Sequence, residues 1–170
     1  MVQQLSLDTA ISQLIKCIQA DFDWQIMDVD HPHYGALFNK ESGLEEAGHG
    51  GTARFVMNCG LILLTIERHP EALPSNTPKI ETLHQRISVA LDYMQRAQRP
   101  SGLIDLRSTN YDSSPDTSFV VEQFCALSSL AQDSILLVDV LKKIEAFVRR
   151  AIPGILIGGF HTPKDRKSVV

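Results

Sequence analysis

Apolar residues recur at intervals of three and four in five separate stretches of the chain, the spacing that lines one face of a helix. The first stretch, Leu7 to Ala20, is apolar on one side only, so this helix should be half exposed. The second follows Gly50-Gly51, with Thr52 as the predicted N-cap, and has hardly any polar face as far as Ile66. A helix of that kind has to be buried on most sides.

Three further helices are predicted from their start and stop signals. Thr77-Pro78 predicts the start of the third, because proline suits the first helical position and threonine can bind a free amide. Asp116 is the predicted cap of the fourth helix, and Asp133 or Ser134 that of the fifth. Pro153-Gly154 is expected to close the fifth helix, since both residues interrupt helical patterns.

No stretch alternates apolar and polar residues over a useful length, as a half-buried strand would. The segment Gly102 to Leu106 comes nearest, and a bound loop explains it equally well. The predicted fold class is therefore all-α. Because mostly apolar helices alternate loosely with one-sided ones, we expect stacked antiparallel hairpins in two layers, forming a solenoid or part of an α/α toroid.

A chain of 170 residues, 44% hydrophobic and 21% charged, is predicted to form a single helical domain over residues 1–170. The formal charge of −4 supplies no concentrated basic face, which argues against a nucleic-acid partner. No apolar stretch is long enough to span a bilayer, and the start of the chain lacks a secretory pattern. A cytoplasmic location without membrane association is therefore expected.

The cysteines are three in number and widely spaced, each inside an apolar helical pattern. Cys17, Cys59 and Cys125 are therefore predicted to be buried free thiols rather than disulfides or metal ligands. A reducing compartment fits this prediction best.

A long polar loop is predicted over residues 23–51, and it contains the candidate binding residues His33, Tyr34 and His49. Two histidines and two aspartates around Pro32 are of the types that bind divalent metals, but no regular element holds them. The favoured interpretation is a substrate-contacting or solvated loop, so no metal site and no cofactor are predicted. Loops of this length either bind something or are disordered.

A second polar segment, Ser108 to Thr117, contains Asn110, Tyr111, Asp112 and Asp116. A phenol near a carboxylate can act as acid and base, and an amide can bind the carboxylate or hydroxyl of a sugar. The tyrosine ring can also stack on a sugar face. The same residue types are ordinary turn formers, and Asp116 is predicted more strongly as a helix cap than as a ligand contact.

A third segment places two glycines before Phe160 and His161. Glycines let a backbone approach a ligand closely, which makes His161 a candidate base or hydrogen-bond donor. A lone histidine is also commonly structural.

Three stretches of sequence together resemble a known protein family. They are Gly48-His49-Gly50-Gly51-Thr52-Ala53-Arg54, Ser108 to Phe119, and Gly158-Gly159-Phe160-His161-Thr162-Pro163. They look like the N-terminal α/α toroid region of heparinase II/III-like polysaccharide-degrading proteins. The resemblance implies a ring of helical hairpins whose cleft binds an acidic polysaccharide and cleaves it by β-elimination.

The resemblance also implies roles for particular residues. In that family a tyrosine or histidine serves as base and acid, and an asparagine neutralises the uronate carboxylate. Tyr111 and Asn110 match the tyrosine and asparagine, and His161 matches a cleft histidine. The family pattern continues into a further long helix where this chain ends with Lys164 to Val170, so a truncated, incomplete toroid is expected. Such a half ring exposes an apolar flank, which predicts little catalysis and possible homo-oligomers.

Two other functions stay open. A helical-repeat module would present the same hairpins to a protein partner without catalysis. A glycoside hydrolase on the same kind of toroid would use Asp112 with Asp116 or Asp105 as a carboxylate pair. Their separation would distinguish retention, at about 5 Å, from inversion, at roughly 6.5–9.5 Å.

Overall fold

The computed structural model describes residues 6–38, 48–106 and 110–158, which form a mostly helical domain. Five α-helices pack against each other in these ranges, with one short 3₁₀-helix and a two-stranded hairpin. The elements in chain order are α1 (Leu7–Phe22), α2 (His49–Arg68), the 3₁₀-helix (Pro70–Ala72), α3 (Ile80–Ala97), β1 (Ile104–Leu106), β2 (Asn110–Ser113), α4 (Ser114–Leu130) and α5 (Val138–Ile157).

Helix α2 is central, as its nearly continuous apolar composition predicts. It packs against α1, α3 and α4, while α5 packs against α3 and α4. The largest side chains of the core are fully buried, and Phe124 of α4 meets Phe147 of α5 edge to face at a centroid distance of 5.3 Å. Within the described ranges, no helix combines the length and the apolar character needed to cross a membrane.

The small hairpin corrects the all-α prediction and settles the ambiguous segment Gly102 to Leu106. Strand β1 pairs antiparallel with β2, with Ile104 opposite Ser113 and Leu106 opposite Asn110. A strand of three residues is too short to show alternation in sequence, and its partner strand contains no aliphatic residue. The hairpin therefore forms through backbone pairing of β1 with β2, which no alternating hydrophobic pattern in the sequence indicates.

The helix starts differ from the predicted caps. Helix α2 begins at His49 with Gly48 as N-cap, so Thr52 lies inside the first turn. The Thr52 hydroxyl donates to the Gly48 carbonyl at 2.7 Å and accepts the Leu37 amide at 2.9 Å. Thr52 therefore fixes the preceding segment to α2 instead of capping the helix. Helix α3 begins at Ile80, just after the predicted Thr77-Pro78 start.

The start of α4 and both ends of α5 also differ from the sequence prediction. Ser113, not Asp116, is the N-cap of α4. The residues proposed to cap α5 lie in the turn before it, where Ser134 accepts the Leu137 amide at 3.2 Å. Helix α5 also continues through Pro153 to Ile157, because Pro153 faces solvent while Gly154 packs against the Ser101 carbonyl and the Leu103 side chain.

The cysteine prediction is confirmed for one residue and wrong for two. Cys59 is fully buried in α2, where burial raises the pKa of its thiol. Cys17 and Cys125 are exposed, because each lies on the outer side of its helix. All three thiols are free.

Candidate functional site

Several polar side chains line a cavity of about 150 Å³. The start of α2, the last two turns of α3, strand β1 and the segment between α1 and α2 all contribute to it. The lining residues are Pro32, His33, His49, Tyr93, Arg96, Ala97 and Asp105.

The segment from Trp24 to Phe38 holds His33 at the cavity. It forms a compact turn in which an isolated antiparallel bridge joins Gln25 to Leu37. Gly35 has a φ of +95°, and a Cβ there would lie 2.0 Å from the Val89 carbonyl oxygen of α3. Only glycine allows this segment to lie against α3 in that conformation. This part of the predicted loop 23–51 is therefore packed on the domain; residues 39–47 lie outside the described ranges.

His49 and Tyr93 form a buried pair on one wall of the cavity. The Tyr93 hydroxyl and His49 Nε2 are 3.0 Å apart, and either atom can donate, depending on the imidazole tautomer. The two rings are nearly parallel, and the His33 ring meets the Tyr93 ring edge-on at 6.0 Å. A phenol and an imidazole in direct hydrogen-bond contact can exchange a proton, which is the basic requirement of acid–base catalysis.

Asp105, which also lines the cavity, is held in place by the hairpin and by Arg99. The Arg99 Nε lies 2.9 Å from Asp105 Oδ2, a second guanidinium nitrogen contacts the same oxygen, and the Asp112 amide donates to Oδ1 at 2.8 Å. Partial burial acts to raise the pKa of Asp105, but the Arg99 and Asp112 hydrogen bonds outweigh it and hold the pKa below its usual value. Asp105 is therefore an anion at neutral pH, and it interacts electrostatically with His49.

Arg96 projects from the last turn of α3 with most of its donors available. One of its terminal nitrogens donates to the Tyr34 carbonyl at 2.7 Å. No carboxylate lies within salt-bridge distance of Arg96 among the residues that the structure describes. A guanidinium has five N–H donors in a planar fork, so Arg96 can still bind an incoming carboxylate.

The structure brings some of the predicted site residues together. His33 and His49 line the cavity, whereas Tyr34 contributes its backbone carbonyl to Arg96. Tyr111 and Asp112 lie on the adjacent hairpin. The Arg99 guanidinium carbon lies 5.9 Å from the centre of the Tyr111 ring. Tyr111 is nevertheless 69% exposed, so its ring is available for stacking.

The other predicted residues have different settings. Asn110 donates to the Ser113 hydroxyl at 3.0 Å, and the Asp116 carboxylate accepts from that same hydroxyl. The Asp116 amide donates back to Ser113 at 3.3 Å, an arrangement that stabilises the start of α4. These contacts support the structural interpretation of Asp116. His161 lies outside the described residues.

Tyr93 and Arg96 were not identified from the sequence. Both lie inside the α3 pattern, where a polar-tipped aromatic residue and a terminal arginine are unremarkable. The available signal is that small residues, Ala90 and Ala97, flank Tyr93 on its own face of the helix at three and four positions. Small neighbours leave space beside an aromatic ring, as a cavity requires.

No metal centre is evident in the described part of the chain, where no three histidine, cysteine, aspartate or glutamate side chains are grouped to hold an ion. Comparison with known proteins identified no relative: no family model, no curated protein and no solved structure matches the chain. The resemblance carried by the three sequence stretches therefore stays a prediction.

Proposed function

We propose that the cavity beside His49 and Tyr93 binds an acidic unit of an oligo- or polysaccharide and that this unit undergoes β-elimination. The observation that carries the proposal is that the buried His49–Tyr93 hydrogen bond and the available guanidinium of Arg96 belong to the lining of one small cavity. A cavity of about 150 Å³ is smaller than typical ligand pockets, so it holds one charged sugar unit at most.

Arg96 is the proposed partner of the uronate carboxylate. Neutralising that carboxylate makes the hydrogen on the adjacent ring carbon, C5, more acidic, because the negative charge that develops on its removal spreads onto the carboxylate. The positive end of the α2 dipole, at His49, adds to this stabilisation. Arg96 thus takes the role that the sequence resemblance assigned to Asn110, whose amide already donates to Ser113.

His49 and Tyr93 are the proposed acid–base pair. The phenol proton moves to the His49 imidazole, and the Tyr93 phenolate removes the C5 proton of the uronate. The electron pair of that C–H bond forms the C4–C5 double bond while the C4–O bond to the leaving sugar breaks. The leaving oxygen then receives a proton from the pair, and the Asp105 carboxylate favours the transient imidazolium by its charge.

The fold part of the proposal is that these helices are stacked hairpins of a partial α/α toroid. It is supported by the packing of α2 on α3 and of α4 on α5, each a pair of consecutive helices. The roles of Tyr111 and His161 implied by the resemblance stay predictions within this proposal.

The test is a lyase assay on an unsulfated uronate oligosaccharide, following the ultraviolet absorbance of the unsaturated product. Tyr93→Phe and His49→Gln should each reduce the rate by about 100-fold or more, since positioned proton transfer contributes 10²–10⁴-fold. His84→Gln, on the same helix as Tyr93, is the matched control and should leave the rate unchanged. Tyr111→Phe and His161→Ala test the two residues from the resemblance.

Binding by itself is tested with Arg96→Gln, so that the site can be judged even if the chain is a weak catalyst. The variant should weaken the binding of the uronate oligosaccharide, measured by calorimetry, by about tenfold, as expected for a lost charged hydrogen bond. Wild-type protein that neither binds nor cleaves the oligosaccharide would refute the proposal.

The hydrolase interpretation has less support. A general acid needs a raised pKa, whereas Arg99 and the Asp112 amide lower that of Asp105. Asp112 accepts from the Ser101 hydroxyl, and Asp116 is engaged in the start of α4.

An interaction module is the second candidate, because one apolar groove is open to solvent. It measures about 340 Å³ between α4 and α5 and includes Leu156, which is 80% exposed. The predicted occupant is a second copy of the chain. Sedimentation should then show concentration-dependent dimers that Leu156→Glu abolishes and that Ile135→Glu, at a residue 82% exposed elsewhere, preserves. A wild-type monomer at all concentrations would contradict this candidate.

A further inference from the structure

A larger polar groove adjoins the cavity and runs between α3 and α5. Its volume is about 530 Å³, within the range of sites that bind small organic ligands. The groove is lined by Asp92, Gln95, Arg96, Gln98 and Arg150. Arg96 belongs to both linings, so the two spaces share this residue.

The groove is positively charged even though the whole chain has a formal charge of −4. Asp92 is the acidic residue of the lining, and its carboxylate is neutralised by Lys143 Nζ at 2.6 Å. Within the described ranges, neither Arg96 nor Arg150 has a carboxylate at salt-bridge distance. Two guanidinium groups without a carboxylate partner among the described residues therefore line the groove, one from α3 and one from α5.

The arginines are held in place by backbone contacts that leave most of their donors available. Arg150 donates one N–H to the Arg99 carbonyl at 3.1 Å, as Arg96 does to Tyr34. Gln98, another residue of the lining, is also fixed, because its amide nitrogen donates to the Gly102 carbonyl at 2.8 Å and the Phe147 carbonyl at 3.0 Å. Gln98 thereby links α3 to α5, and the groove is preorganised for an anion.

We propose that Arg150 forms a second anion-binding subsite, which takes the acidic group of a neighbouring unit on the sugar chain whose first unit occupies the cavity. The ligand is then an oligomer with acidic groups on successive units, not a monosaccharide or an isolated acidic end. This inference rests on the proposed function, because it takes the cavity as the first subsite. A guanidinium fork suits the role, since it binds a carboxylate through two parallel hydrogen bonds.

The experiment compares two ligand lengths and two adjacent arginines. Calorimetry measures the binding to the full chain of an unsulfated disaccharide that carries a single uronate, and of a hexasaccharide in which every unit is a uronate. The variants are Arg150→Gln and, as a matched control, Arg149→Gln. Arg149 lies next to Arg150 on α5, carries the same charge and pairs with Glu145 at 2.7 Å. Thermal unfolding of each variant checks that the fold is retained.

The wild type should bind the hexasaccharide more tightly than the disaccharide. Arg150→Gln should weaken hexasaccharide binding by about fivefold to tenfold and leave disaccharide binding unchanged, whereas Arg149→Gln should change neither by more than about twofold. Arg150→Lys should restore part of the affinity, because it keeps the charge but not the fork.

Three results would overturn the subsite. They are equal binding of both lengths by the wild type, an equal loss for both ligands in Arg150→Gln, and equal effects of Arg149→Gln and Arg150→Gln. A different result would contradict the proposed function, in which the cavity is the first subsite. In that case Arg96→Gln would leave disaccharide binding unaltered, while Arg150→Gln would still weaken hexasaccharide binding.

Discussion

Gly102 allows the turn before β1 to lie directly against α5. Its φ is +86°, and a Cβ there would lie 1.9 Å from the carbonyl oxygen of Arg150. Backbone atoms on both sides cannot yield, so Gly102→Ala should lower the free energy of unfolding by about 2–5 kcal/mol, as measured by urea denaturation. Gly51→Ala is the control. An added Cβ there meets no atom within 4 Å, and a gain of about 0.5–1 kcal/mol is expected from helix propensity. A similar loss in both variants would contradict the close-contact explanation.

Asp105 should make the stability of the domain depend on pH in the acid range. Its pKa in the folded protein lies below the usual 3.8, so the charged carboxylate stabilises the fold relative to the unfolded chain. That contribution is complete above the unfolded pKa and is lost as the pH falls through the folded pKa.

Urea unfolding of wild type and Asp105→Asn over a series of pH values tests this expectation. Wild type should be more stable above about pH 4, the ordinary aspartate range, and the difference should shrink as the pH falls below it. A difference that stayed constant, or grew in acid, would show that the Arg99 ion pair does not stabilise the fold.

At the scale of elements, helix interiors were predictable from sequence and helix ends were not. In α3 the apolar residues at helical spacing correctly predict the buried face, since Leu83, Ile87 and Leu91 are all fully buried. An end depends on contacts that the local sequence does not contain. Helix α5 passes Pro153 because Gly154 packs against the turn at Ser101, which is distant in sequence.

The crossing of α2 and α4 depends on a glycine. A Cβ added to Gly60 would lie 2.7 Å from a methyl carbon of Leu127, which is itself fully buried and has little room to move. Gly60→Ala should therefore lower the free energy of unfolding by about 1–3 kcal/mol.

The sign of that effect should reverse when Leu127 is truncated. In a Leu127→Ala background the added methyl fits the space left behind, and Gly60→Ala should raise stability by about 1 kcal/mol through helix propensity. A double-mutant cycle by urea denaturation measures this coupling. If the effects of Gly60→Ala and Leu127→Ala on the free energy of unfolding were additive, the contact between Gly60 and Leu127 would not limit how closely α2 and α4 pack.

For the whole molecule, the sequence identified the polar loops but not the arrangement that gathers their residues. His49 was a candidate because it lies in a polar loop beside glycines. Its partner Tyr93 is 44 residues away in a helix that reads as ordinary core packing. Only the packing of α3 against the start of α2 brings them together, and no local pattern encodes such a long-range contact.

Charge also acts at the scale of the whole molecule. The net charge of −4 repels an acidic oligosaccharide at long range, whereas Arg96 and Arg150 attract it at contact. Salt screens both effects, but attraction dominates for a bound ligand because its charges lie within a few ångströms of the guanidinium groups. Hexasaccharide affinity should therefore fall as salt rises from about 0.05 M to about 0.5 M.

Removing both arginines should invert this salt dependence. In the Arg96→Gln, Arg150→Gln double variant only the long-range repulsion remains, so the residual affinity should rise with salt over the same range. Calorimetry at the two salt concentrations, with a neutral hexasaccharide as reference, measures the sign directly. If wild type and double variant showed the same dependence, the two guanidinium groups would not be the contact charges, and the ligand would be bound elsewhere on the surface.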